Sequence, residues 1–85
     1  MMFNVKLNND SEKFLERCDV VLQKRIIQKL KMLKETPFIH DAKSIIGNDK
    51  QFRIRVGKYR IIYEADSVNN VINIIKIGKR GNVYD

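Results

Sequence analysis

The sequence is poor in the residues that form disulfides, metal sites and histidine-based active sites. Its 85 residues include one cysteine, Cys18, and one histidine, His40. A single cysteine cannot form a disulfide within the chain, and one cysteine with one histidine argues against a zinc site supplied by the protein. One histidine also excludes a pair of histidines that act as general acid and base. We therefore expect neither a metal nor a cofactor.

The chain also lacks the segments that direct or divide larger proteins. No stretch reaches the run of about 18 apolar residues that a membrane-spanning helix requires. The opening residues, MMFNVKLNNDSEK, have no apolar run of roughly 7–15 residues like that of a secretory signal. There is no Pro/Gly/Ser-rich linker, repeat or low-complexity tract. These absences predict a single domain over residues 1–85 and a cytoplasmic location.

Positive charge is what the chain has in excess. Lysine and arginine number 17 against 10 aspartates and glutamates, which gives a formal net charge of +7. The hydrophobic fraction of 44% and the charged fraction of 32% are those of an ordinary globular protein. This charge balance suits nucleic acid, an anionic surface or an acidic protein partner, and it does not choose among them.

The first half of the sequence has the patterns of one strand and two helices. Residues 2–7 alternate between apolar and polar side chains, which predicts a strand. A short helix is expected over residues 10–17, with Asn9 as a capping residue. A second helix is predicted from Asp19 to about Glu35. Its apolar residues at helical spacing are Leu22, Ile26, Leu30 and Leu33.

The second half has the patterns of three strands, predicted over residues 51–56, 59–65 and 71–77. They follow a connecting segment at 38–49 whose periodicity is weak. Gly57-Lys58 is a two-residue hairpin connection, and glycine in its first position suits a type II′ turn. The predicted fold is α+β with the order β-α-α-β-β-β, an antiparallel sheet packed on two N-terminal helices.

The two-residue turn fixes which residues face each other across the hairpin. Arg55 is expected opposite Arg60, and the face they share also holds Arg53. The other face is apolar and should pack on the helices; it holds Phe52, Ile54, Val56, Tyr59, Ile61 and Tyr63. A solvated basic face is one interpretation, because a like-charged pair costs only ~0.2–1 kcal/mol. The other is a phosphate site, because arginine binds phosphate bidentately through a planar fork of donors.

The last strand, VINIIKI, is apolar on both sides, which predicts a central and well-covered strand. Strict alternation places Ile72, Ile74 and Lys76 on one side of the sheet. It places Val71, Asn73, Ile75 and Ile77 on the other. The tail GKRGNVYD is then expected to emerge beside the arginines.

Two segments, FRIRVGKYRIIYE and INIIKIGKRGNVY, resemble the core of the RelE/ParE toxin superfamily, and specifically its RelE-like branch. The shared pattern is an aromatic residue, alternating basic and aliphatic residues, a glycine and an aromatic-arginine pair. A strand, a glycine, a basic pair and a closing tyrosine follow. The resemblance spans almost the whole chain. It implies a microbial-ribonuclease-like fold and a toxin of a type II toxin–antitoxin system, with a cognate antitoxin as partner.

The resemblance further implies a metal-independent endoribonuclease that enters the ribosomal A site and cleaves mRNA there. The 2′-hydroxyl of one nucleotide attacks its own 3′-phosphate, and the product is a 2′,3′-cyclic phosphate. By position, the catalytic residues are expected to be Arg55, Arg60, Arg80 and Tyr84. The RNA-binding residues are expected to be Arg53, Lys50, Lys58 and Lys79.

The general base stays open at this point. Some RelE-like proteins have lysines where this chain has Arg53 and Arg55, and arginine, with a pKa above about 12, does not give up its proton. Tyr84, Lys50, Lys79 and groups of the ribosome are all candidates.

Two other functions are compatible with the same scaffold. A ParE-like toxin inhibits DNA gyrase and cuts no RNA, although that branch usually lacks the full set of basic residues and tyrosine. A degenerate toxin would only bind its antitoxin. Growth arrest on expression separates the last from the other two, and cleaved mRNA ends separate the first two.

Overall fold

The computed structural model describes residues 2–36, 42–45 and 48–79. It contains two helices and five strands in chain order. The elements are β1 (Asn4–Leu7), α1 (Asn9–Arg17), α2 (Val20–Glu35), β2 (Lys43–Ile45), β3 (Asn48–Val56), β4 (Tyr59–Asp66) and β5 (Val71–Lys79). The predicted α+β class is confirmed. One strand, β2, lies in the segment that was expected only to connect, and β3 starts three residues earlier than predicted, at Asn48 rather than residue 51.

The strands form one sheet in the order β1-β5-β4-β3-β2. The pairs β2–β3, β3–β4 and β4–β5 are antiparallel, but β1 runs parallel to β5. The prediction of a purely antiparallel sheet is therefore wrong at this edge. The reason is that β1 is joined to the rest of the sheet through two helices rather than a hairpin turn, and such a long connection permits a parallel neighbour.

The core lies between the helices and one face of the sheet. All four predicted α2 positions are buried: Leu22, Ile26, Leu30 and Leu33. They pack in one cluster with strand residues that include Ile54, Val56, Ile61 and Tyr63. Aromatic rings extend the cluster, with Phe52 stacked on Tyr63 and Phe14 edge-to-face with Tyr59, each pair with centroids 5.6 Å apart. The apolar face predicted from the hairpin is therefore the face that the helices cover.

Side-chain caps start both helices. Asp19 caps α2 as predicted, because its Oδ1 accepts a hydrogen bond of 2.8 Å from the Leu22 amide. The cap of α1 is Asn8 and not Asn9, since the Ser11 amide donates to Asn8 Oδ1 at 2.9 Å. Among residues 2–36, 42–45 and 48–79, no helix is long and apolar enough to cross a membrane.

Strand β5 contains a bulge that changes which of its side chains face the core. Ile62 of β4 pairs with Lys76, and the next residue, Tyr63, pairs with Ile74, so Ile75 is an extra residue without a counterpart. The prediction from strict alternation is therefore wrong beyond Ile74. Ile77 packs in the core, and Lys76 turns to the opposite face, since one inserted residue inverts the direction of every side chain that follows.

Candidate functional site

The hairpin between β3 and β4 has the predicted register, with Val56 opposite Tyr59 and Arg55 opposite Arg60. Gly57 has φ +60°, a value that side-chain-bearing residues rarely adopt, which fits the first position of a type II′ turn. In such a turn the carbonyl of the first residue accepts from the amide of the fourth, so the flanking pair is hydrogen-bonded. The next pair, Arg55 and Arg60, is then of the non-hydrogen-bonded kind, in which the side chains lie closest.

The surface opposite the helices carries a basic patch, which we call the arginine face. Its members in the described strands are Lys43, Arg53, Arg55, Arg60, Ile62 and Lys76. One cross-strand row runs through Lys43, Arg53, Ile62 and Lys76. The next row runs through Arg55, Arg60 and Gly78. The β5 bulge puts Lys76 and Gly78 on this surface, where the buried Gly78 pairs with Arg60.

The three arginines differ sharply in exposure. Arg55 is exposed, Arg53 is half-buried and Arg60 is only 2% exposed, with its Nε and Nη1 atoms shielded from solvent. Arginine keeps its charge even when buried, and removing that charge from water costs free energy. Arg60 is therefore a fixed positive charge directly beside the exposed Arg55.

The predicted lysines are exposed, but the structure does not bring them onto the arginine face. Lys58 lies in the hairpin turn, and Lys79 pairs with Tyr59 on the side of the helices. Lys50 lies near Asp66, since its charge helps to lower the pKa of that carboxyl. Arg80 and Tyr84 lie outside the described residues, and their roles stay predictions.

The groups whose pKa values shift clearly are not neighbours of Arg55 or Arg60. Burial raises the pKa of Tyr63, whose ring lies in the core, far above its ordinary value. Burial, and then the charge of Asp19, raise the pKa of Cys18. Hydrogen bonds from Asn69 lower the pKa of Asp66 at the turn after β4. Among the described residues, the clear pKa shifts therefore belong to the core, the helix junction and the turn after β4, and not to the paired arginines.

No three histidine, cysteine, aspartate or glutamate side chains within residues 2–36, 42–45 and 48–79 are placed to hold a metal ion. The sequence reasoning missed Lys76 as part of the arginine face, and it expected Gly78 near the arginines only as the start of the tail. A signal was present, because the adjacent Ile74 and Ile75 interrupt the alternation of VINIIKI at the place where the bulge occurs.

Comparisons with known proteins cover nearly the whole chain. The family model described as ParE toxin of type II toxin–antitoxin system, parDE, matches residues 5–84. The RelE1 protein of Methanocaldococcus jannaschii is 30% identical over 87 residues, an alignment that covers 99% of this chain and 97% of that protein.

Two solved complexes have the same fold. The archaeal RelE–RelB complex of Pyrococcus horikoshii contains a chain that is 26% identical, with a TM-score of 0.85 and coverage of 98% of this chain and 100% of that one. The RelB–RelE antitoxin–toxin complex of Methanococcus jannaschii gives 25% identity, a TM-score of 0.74 and coverage of 94% and 95%.

Proposed function

The chain belongs to the RelE/ParE superfamily of type II toxin–antitoxin toxins, and from that premise we propose that it is an endoribonuclease that cuts mRNA in the ribosomal A site without a metal ion. One observation carries the proposal: Arg60, a buried guanidinium, stands directly opposite the exposed Arg55. A solvated basic surface has no need of a buried cation. A site that stabilises a phosphate in its transition state does, because fixed charges in a dry environment act most strongly there.

The proposed reaction is an internal displacement at phosphorus. The 2′-hydroxyl oxygen forms a bond to the adjacent phosphorus while its proton passes to a base, and the bond to the 5′-oxygen of the next nucleotide breaks. That oxygen takes up a proton and leaves as a 5′-hydroxyl, and the other fragment ends in a 2′,3′-cyclic phosphate. Since the attacking group is a 2′-hydroxyl, only RNA is a substrate.

The arginines divide the electrostatic work. Arg55 and Arg53 hold the scissile phosphate through charge-assisted hydrogen bonds. The planar guanidinium fits two phosphate oxygens at once. Arg60 stabilises the charge that develops on the phosphate oxygens through the field of its buried guanidinium.

Arg80 and Tyr84 complete the proposed site by the family pattern. Arg80 supports the leaving 5′-oxygen, and Tyr84 stacks on a base or accepts the 2′-hydroxyl proton. Lys50, Lys58 and Lys79 bind RNA away from the reacting phosphate. A ribosomal group is the other proposed source of the base.

We also propose a cognate antitoxin as the protein partner, in keeping with the two RelE complexes that match this fold. A groove of about 720 Å³ between the start of α2 and the hairpin suits an amphipathic helix. Val20 and Val21 line it and are 63% and 69% exposed, which is high for apolar residues. Lys58 at its rim suits an acidic flank of that helix.

The test is mRNA cleavage on ribosomes with an empty A site, with the ends mapped to single nucleotides. The wild type should cut inside the A-site codon and leave naked mRNA intact. Arg55→Ala should lower the cleavage rate by about 10²-fold or more, because a cation that contacts the scissile phosphate also meets the negative charge that develops there in the transition state. Arg17→Ala is the matched control, because it removes the same charge from an exposed site on α1 and should leave the rate unchanged.

Two results would contradict this proposal. Intact mRNA at high toxin concentration would exclude the ribonuclease, and inhibition of DNA gyrase would then identify the ParE-like alternative. Antitoxin binding without growth arrest on expression would identify a degenerate toxin.

A further inference from the structure

A cationic groove lies beside the arginine face, between α2 and the end of β3. Its volume is about 320 Å³. Its described lining residues are Arg25, Gln28, Lys29, Met32, Arg55 and Val56. Three of these six side chains are cations and none is a carboxylate. Arg25 and Lys29 come from the helix and Arg55 from the strand, so the fold assembles the charges from two elements.

Arg25 extends toward the hairpin turn. A Cβ atom placed on Gly57 would lie 3.0 Å from Nη1 of Arg25, so the guanidinium occupies the space that the missing side chain leaves. Gly57 therefore serves the turn through its positive φ and also admits Arg25. This approach sets the Arg25 charge at the tip of the same hairpin that carries Arg55.

Arg55 belongs to both the groove and the arginine face. Strand β2 pairs with β3 only as far as Arg53, so none of the described strands lies beside Arg55 on that edge. The position of Arg55 in a non-hydrogen-bonded pair with Arg60 turns its amide toward this edge, away from β4. A phosphate in the groove thus meets cationic side chains from both the helix and the strand.

Two other grooves lined by described residues of α2 have a different chemistry. The groove of about 720 Å³ at the start of the helix is lined mainly by apolar residues, which suits a protein. The groove of about 640 Å³ on the outer side of α2 contains the carboxylate of Glu35 beside Lys24 and Lys31. The groove lined by Arg25, Lys29 and Arg55 combines three cations with continuity to the arginine face, which favours a polyanion that runs across both.

We propose that the groove formed by Arg25, Lys29 and Arg55 binds a phosphodiester of RNA outside the cleaved bond. This inference rests on the proposed function only in naming RNA as the ligand. The groove holds the strand at a second point beyond the turn, and so fixes the direction in which the RNA crosses the arginine face. Arginine forks suit this task because they grip the phosphate oxygens bidentately.

The test measures the salt dependence of binding for the full chain. The probe is a short single-stranded RNA with every 2′-hydroxyl methylated, so that no cleavage takes place, and ribosomes with an empty A site form a second arm. Each phosphate contact in single-stranded nucleic acid adds about 0.7 to the slope of log K against log salt. Arg25→Gln should lower the slope by about 0.7, so the ratio of wild-type to variant affinity falls about 2.6-fold between 50 and 200 mM salt.

Three further variants make the test specific. Lys24→Gln removes one charge from an exposed position of the same helix that lines a different groove, and it should leave the slope unchanged. Lys29→Gln removes a groove cation that does not cover the turn, and it should lower the slope as Arg25→Gln does. Arg25→Lys keeps the charge and should keep the slope, although it binds more weakly because the fork is lost. Melting temperatures of all variants confirm that each one is folded.

The outcomes separate the sources of the phosphate. A lower slope with the free RNA and with ribosomes assigns the phosphate to the bound strand, and a lower slope with ribosomes alone assigns it to ribosomal RNA; both support the proposal. An unchanged slope for Arg25→Gln and Lys29→Gln would overturn it. Tighter binding of polyglutamate than of RNA, with the same dependence on Arg25, would overturn it in favour of an acidic protein. Because the RNA is uncleavable, these results stand whether or not the wild type cuts mRNA.

Discussion

The two faces of this sheet are built from the same strands but serve different ends. On the helix side, Ile54, Ile61 and Tyr63 are completely buried in one apolar cluster. On the other side, Arg60 and Ile62 are just as well buried, yet they lie beside the exposed Arg55. Burial therefore does not separate core from site in this fold. The two are separated by whether the buried side chain is apolar or charged. Adjacent residues of β4 therefore have different roles, with Ile61 in the core and Arg60 on the arginine face.

The largest effect should come from the helix side. Ile61→Ala should lower the free energy of unfolding by about 2–5 kcal/mol, because it removes a fully buried side chain and leaves a cavity. Urea denaturation measures the change. The cleavage rate per folded molecule should stay the same, since Ile61 points away from the arginine face. A lower rate in the folded fraction would show that the two faces are not separable.

The residue next to Ile61 should behave in the opposite way. Arg60→Met should lower the rate of mRNA cleavage by about 10²–10³-fold, which corresponds to about 2.7–4 kcal/mol of transition-state stabilisation. Methionine fills most of the space that the arginine side chain occupies, so the variant should stay folded. Cleavage kinetics and urea denaturation on one preparation test both statements. Full activity in a stable Arg60→Met protein would remove Arg60 from the site.

A smaller effect is expected at the β5 bulge, beyond which the side chains of the strand point to the opposite faces. Asn8 Nδ2 donates a hydrogen bond of 2.7 Å to the carbonyl of Ile75, the extra residue of the bulge, while Asn8 Oδ1 caps α1. Asn8→Ala removes both bonds and should lower the free energy of unfolding by about 1–2 kcal/mol.

Asn8→Asp separates the hydrogen bond to the bulge from the cap of α1. It keeps the acceptor for the Ser11 amide and loses only the donor to Ile75. Amide hydrogen exchange should then increase around Ile75 while α1 stays protected. Equal protection of the bulge in Asn8→Asp and the wild type would show that Asn8 does not hold it.

The smallest effect concerns the turn between β4 and β5, remote from both the core and the arginine pair. Asn69 donates to both carboxylate oxygens of Asp66, and these bonds lower the pKa of Asp66 below its ordinary value of 3.8. A lowered pKa in the folded state stabilises the fold above the unfolded pKa, and this contribution is lost as pH falls through the folded pKa. The stability difference between the wild type and Asp66→Ala should therefore shrink below about pH 4. A difference that is constant from neutral pH to pH 2 would contradict the assignment.

The sequence predicted most where local rules leave few choices. The turn at Gly57 fixes the register of the hairpin, so the pairing of Arg55 with Arg60 and the apolar partner face followed directly. It predicted less where one inserted residue sets the direction of the side chains, or where a strand distant in sequence is the pairing partner. An alternating pattern assumes one residue per pairing position, so it does not predict the extra residue Ile75. The parallel pairing of β1 with β5 depends on how the helices return the chain to the sheet.

The site was predicted only in outline for the same reason. Composition and spacing identified Arg53, Arg55 and Arg60, but how deeply each lies depends on what covers the sheet, which no pattern within one strand reveals. Arg25 was not predicted as a functional residue, because only the packing of α2 against the hairpin brings it to Arg55.

The parallel pairing of β1 with β5 also determines when the protein can finish folding. Strand β1 is synthesised first of the five but pairs only with β5, which is synthesised last. Helices α1 and α2 and three other strands are made in between. Chains grow from the amino terminus, and contacts so distant in sequence close late. The sheet that carries the arginines is therefore incomplete until the codons of β5 have been read.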